Sequence, residues 1–84
     1  MTGNELVTLW LKTKVGAEFT QLNVQRELDV FQKQYGKHFL PESLARYFRM
    51  VRQSNALQKD GLEISEVQDR EHTTYTVKRI DSLF

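Results

Sequence analysis

The chain contains no cysteine, which excludes disulfide staples and thiolate metal sites and leaves the fold to be held by its core alone. One proline and four glycines in 84 residues leave no room for a Pro/Gly-rich linker, and no internal repeat or low-complexity tract is visible. No apolar run approaches the roughly 20 residues of a membrane span, and the start of the chain lacks the basic-then-apolar layout of a secretory signal. The expected compartment is cytoplasmic for a bacterial or phage-encoded chain, or nuclear for a eukaryotic one, with no membrane partner. Only two histidines occur, His38 and His72, without the paired spacing of a metal site. The glycines form no phosphate-cradling loop. Ser43 and Ser65 have no base in a recognisable relation to them. Glu63, Glu66, Asp69 and Glu71 fall on a polar hairpin rather than in the buried setting that tunes acids and bases. The expectation is a protein that is not an enzyme, with no cofactor, metal or small-molecule substrate.

What is present suits one small folded unit spanning residues 1–84. Hydrophobic residues make up 39% and charged residues 27%, ordinary for a globular chain, and five Phe, three Tyr and one Trp supply core bulk. The formal charge of +1 conceals a polarised distribution. Lys37, Arg46, Arg49, Arg52 and Lys59 face a single acid, Glu42, between positions 37 and 59. Asp60, Glu63, Glu66, Asp69 and Glu71 then follow against Arg70 alone.

Thr2-Gly3-Asn4-Glu5 has the spacing of a capping box and predicts a helix over about 3–13, with Leu6, Leu9 and Trp10 on one face. Val7 and Leu11 widen that face, so this helix is expected to be wedged centrally or shared in a homodimer; Ile80, Leu83 and Phe84 are the alternative cover within the monomer. Gly16 is a natural stop, and Ala17–Thr20 reads as a short extended connection in which Phe19 plugs the core. Val24, Leu28, Phe31 and Tyr35 repeat at helical spacing, predicting a second helix over about 22–35 that Gly36 ends. Pro41 suits the first position of a third helix, over about 41–54. After it the period changes to two: Leu62-Glu63-Ile64 and Thr73–Lys78 predict hairpin strands over about 62–67 and 73–80, joined by the polar tip Gln68–His72. Val67 is out of step with Leu62 and Ile64, which predicts a bulge or strand end near Glu66.

The third helix has two faces of different purpose. At about 100° per residue, Leu40, Leu44, Phe48 and Val51 share one side, and Glu42, Arg46, Arg49 and Gln53 the other. Arginine matches both phosphate and the edge of guanine, so this stripe fits a nucleic-acid recognition helix; a solvated charged face is the plain alternative.

The order helix, extended piece, helix, tight turn, helix, β-hairpin resembles the winged helix-turn-helix DNA-binding domains, an α+β fold in which a three-helix bundle is followed by a C-terminal β-hairpin wing. Leu40 to Gln53 is similar to the x-P-x-S-h-x-R-x-h-R-x-h-R pattern, with h apolar, of recognition helices in bacterial and phage DNA-binding modules. The resemblance implies that the third helix enters the major groove of double-stranded DNA and that the hairpin touches the neighbouring backbone. It places Ser43, Arg46 and Arg49 in the groove, Tyr47 and Arg52 at its rim, Lys37 near the phosphates ahead of the helix, and Arg70 and Lys78 on the wing. The acids Asp69 and Glu71 beside Arg70 depart from the basic tips of many such wings. The expected role is a small transcription regulator or the DNA-targeting domain of a replication, recombination or phage protein. A winged-helix module that binds a protein partner and no nucleic acid is the alternative, and RNA is a third possible target.

Overall fold

The first helix is set by its cap. In the computed structural model, which describes residues 1–54 and 56–80, α1 (Gly3–Lys12) begins at Thr2, whose hydroxyl accepts from the Glu5 N–H at 3.1 Å. The Glu5 carboxylate returns the bond, accepting from the Thr2 N–H at 2.9 Å. Hydrogen bonding to the carboxylate from the Thr2 backbone N–H and then the Thr2 hydroxyl, helped by the nearby N-terminal ammonium and Lys37, holds the Glu5 carboxyl below its usual range. Gly16, at φ 83°, reverses the chain in a left-handed conformation that a side chain would resist.

Glu18–Thr20 then forms β1, and α2 (Gln21–Lys33) starts without a break from a second capping box, in which Thr20 and Asn23 satisfy each other's backbone N–H. The helix ends two residues earlier than the periodicity suggests. Tyr35 lies beyond it, exposed, with its ring 5.2 Å from that of Phe31. α3 (Pro41–Gln53) opens on the proline, a single further turn, α4 (Ala56–Lys59), follows, and β2 (Leu62–Gln68) and β3 (Thr73–Arg79) complete the chain's regular structure among the described residues.

Among the described residues the result is an α+β fold of four helices and a three-stranded antiparallel sheet in the order β1-β3-β2. Two expectations are corrected here. The segment before α2 is a strand of the sheet rather than a connection: Phe19 pairs with Tyr75, between Glu18–Thr76 and Thr20–Thr74. The hairpin has no bulge at Glu66, since β2 and β3 pair in unbroken register from Leu62–Arg79 to Gln68–Thr73. Val67 instead belongs to the other face of the sheet, where it is 65% exposed, as strict alternation requires. The tip shortens to Asp69–His72, closed by Asp69 N–H donating to the His72 carbonyl at 2.8 Å.

Phe19, Leu62, Tyr75 and Val77 line the inner face of the sheet and meet Leu6, Trp10, Val24, Leu28, Leu44, Phe48 and Val51 from the helices in one core. Phe19 sits at its aromatic centre, 5.1 Å from Trp10, 5.7 Å from Tyr75 and 6.3 Å from Phe48 between ring centroids. Val7 and Leu11 are fully buried in the same cluster. Val7 and Leu11 are thus covered within the chain itself and lend no support to a homodimer through helix one, whereas Leu9 on the same helix is only half-buried. Of the residues expected as their alternative cover, Leu83 and Phe84 lie outside the described residues. No helix among the described residues is long and apolar enough to cross a membrane.

Candidate nucleic-acid interface

Burial of Leu44, Phe48 and Val51 fixes the rotation of α3 and turns Glu42, Arg46, Arg49 and Gln53 to solvent. Neither Arg46 nor Arg49 takes part in an ion pair among the described residues. Several other cations are neutralised at home: Lys12 by Asp60, Lys14 by Glu27, and Lys33 by Asp29. Leu40, 63% exposed, and Met50 add apolar surface to the same helix.

Arg46 does have a platform. Its guanidinium lies 5.6 Å from the Tyr47 ring centroid, within cation–π range. Tyr47 is half-buried, edge-on to Phe39 at 5.3 Å, and lies so close over Gly3 of α1 that a Cβ there would overlap the ring. Its ring therefore works as a wedge between α1 and α3, and glycine is the residue that admits it. Ser43 is half-buried at the start of α3, and Lys37 is half-buried in the turn before it.

That turn is held by a residue with no evident role in the sequence. Gln32, 2% exposed, donates from Nε2 to the Phe39 carbonyl at 3.2 Å and to Asp29 Oδ1 at 3.1 Å, and its Oε1 accepts from the Phe39 N–H at 2.7 Å. One amide thus satisfies both backbone groups of Phe39 and fixes how α3 leaves α2. A Gln32→Leu substitution should lower unfolding free energy by about 1–3 kcal/mol, because it strands a buried donor and acceptor; urea denaturation reads this directly, and an unchanged midpoint would mean the turn is held by packing alone. The available signal was positional: Gln32 continues the Val24, Leu28 stripe at i+4, where a polar residue needs a partner.

The other singled-out cations divide. Arg70 is exposed at the hairpin tip, where its N–H donates to Asp69 Oδ1 at 2.7 Å. Lys78 is not brought to the α3 face: it pairs with Glu63 in the register and points away from the buried side occupied by Tyr75 and Val77. Arg52 is drawn inward. Its Nη1 meets Glu66 Oε2 of β2 at 3.1 Å, and its guanidinium lies 5.2 Å from the Phe48 ring and 5.0 Å from that of Tyr75. Burial pushes the Tyr75 hydroxyl above its usual pKa; Arg52 opposes that rise and Glu66 adds to it.

Arg46, Arg49, Tyr47, Ser43 and Lys37 therefore share α3 and the turn ahead of it, with the hairpin tip presenting Arg70 between two acids. No cluster of three His, Cys, Asp or Glu side chains suited to a metal ion exists among the described residues. No family model, curated protein or solved structure matches this chain.

Proposed function

We propose that the chain is a winged helix-turn-helix module that binds double-stranded DNA, with α3 in the major groove and the β2–β3 hairpin as its wing, acting as a regulator or as the DNA-targeting part of a replication, recombination or phage protein. The observation that carries this reading is the solvent-facing pair Arg46 and Arg49 on α3, unpaired with any acid among the described residues. An exposed arginine ridge opposite a buried seam is the arrangement that direct readout of guanine edges uses. The α2–turn–α3 unit and the following hairpin, with β1 closing the sheet, support it as topology. In this reading Lys37 positions phosphate and Arg46 and Arg49 read the groove.

A protein partner is the second reading, favoured by Asp69 and Glu71 at the tip and by exposed Leu40 and Met50 on α3. Fluorescence anisotropy with a labelled duplex, repeated across salt concentrations, separates the two. In the DNA reading, replacing Asp69 and Glu71 together by Lys tightens non-specific binding and steepens the log–log salt dependence by about two, as two repelled positions become phosphate contacts. Weaker binding in that variant would show that the acids themselves make a needed contact, and no duplex binding by the parent chain at low salt would favour the protein partner.

A further inference from the structure

Arg52 continues the arginine spacing of α3, yet its surroundings differ in kind from those of Arg46 and Arg49. Its side chain is 24% exposed, its guanidinium lies within cation–π reach of both Phe48 and Tyr75, and its Nε is buried with no hydrogen-bond partner among the described residues. Glu66, which closes the pair, stands directly across from Tyr75 in the β2–β3 register. The Tyr75 hydroxyl in turn donates to Gln21 Oε1 at 2.7 Å, at the first residue of α2. One run of contacts therefore ties the start of α2, the middle of β3, the end of α3 and the middle of β2.

Its position on the hairpin gives the tie leverage. Only the pairs Val67–Thr74 and Gln68–Thr73 and the four-residue tip lie beyond Glu66–Tyr75. Phe48 and Tyr75 stand at 82° to each other, so a guanidinium beside them stays within cation–π reach of both while its forked end reaches the carboxylate, a combination unavailable to lysine. A cation already matched by a carboxylate adds little net attraction for phosphate, and freeing it would leave Glu66 facing the ligand.

We propose that Arg52 is a positioning residue that sets the angle of the hairpin against α3 through Glu66, and that it does not itself contact nucleic acid. Its consequence for binding rests on the DNA reading above, whereas the tie itself belongs to the free protein.

Glu66→Gln is the deciding variant, and Glu63→Gln is its control, because Glu63 sits on the same strand but on the other face of the sheet. Both remove one acid. By charge alone, both should strengthen binding to a polyanion. If Glu66 holds the hairpin through Arg52, Glu66→Gln instead weakens binding to a mixed-sequence duplex by about fivefold, the scale of one solvent-accessible ion pair, while Glu63→Gln equals or exceeds the parent chain. Residual dipolar couplings on the full chain, free of DNA, should show the hairpin reoriented or loosened relative to α3 in Glu66→Gln and unchanged in Glu63→Gln, with thermal melting confirming that both remain folded. Parental hairpin couplings in Glu66→Gln, or a rise in its affinity matching that of Glu63→Gln, would overturn the proposal. If the parent chain binds no duplex, the DNA reading fails and the dipolar couplings alone decide the role of Arg52.

Discussion

Replacing Arg46 and Arg49 together by alanine should lower duplex affinity by at least about thirtyfold, because each arginine that reads a groove contributes about 1–3 kcal/mol. The same double substitution should leave stability within about 1 kcal/mol of the parent, since neither side chain holds an ion pair among the described residues and surface changes away from caps and cores are small. The substitution removes the contact of Arg46 with the Tyr47 ring, worth about 0.5–1 kcal/mol at an exposed site. Anisotropy titration beside a urea melt measures both quantities on one sample. Parental affinity in a natively folded double variant would remove α3 from the interface.

Phe48→Ala should be the most destabilising single change. The ring is 1% exposed, edges onto Tyr75 at 5.0 Å and Phe19 at 6.3 Å, and forms one wall beside the Arg52 guanidinium. Truncating such a side chain costs about 3–5 kcal/mol in lost transfer energy and residual cavity. A chain of this length has a total stability of only about 4–13 kcal/mol. The variant should therefore unfold at a much lower urea concentration, and hairpin amides should lose exchange protection early, because the ring anchors the sheet to α3. A loss under about 1 kcal/mol would contradict the central place given to Phe48.

The parts of the fold that could be read in advance are those decided within a few residues. The Thr2–Glu5 capping box, Pro41 at the start of α3, positive φ at Gly16 and Gly36 and the burial of Phe19 all follow from local rules. β1 was not legible as a strand because three residues carry too little alternation; what makes it a strand is its pairing with β3, more than fifty positions away. The start of α2 at Gln21 is hard to read from the sequence because Asn23, rather than the more familiar Glu or Gln, completes its capping box. Val67, out of step with Leu62 and Ile64, suggests a bulge, whereas unbroken register simply leaves it on the open face.

The candidate site shows the same division. Helical angle alone put Arg46 and Arg49 opposite the Leu44, Phe48, Val51 seam, and the burial of that seam places them in solvent. Angle sets Arg52 apart from that stripe but does not reveal its surroundings, which depend on Glu66 and Tyr75 from the sheet. Nor could it foresee that Tyr47 sits over Gly3, a contact between the first and third helices. The resemblance puts Lys78 on the wing, and the register adds which face of the sheet it occupies, opposite to Tyr75 and Val77.

The central claim is that the exposed face of α3 meets duplex DNA. Amide chemical-shift mapping during a titration with a short mixed-sequence duplex at low salt tests it most directly. The expected result is a set of shifts concentrated at Arg46, Arg49 and their solvent-facing neighbours, at Lys37, and more weakly at the hairpin tip, all fading as salt is raised. Shifts gathered instead along the groove between α1 and α2, lined by Trp10, Arg26, Val30 and Phe31, or no shifts at any duplex concentration, would contradict it.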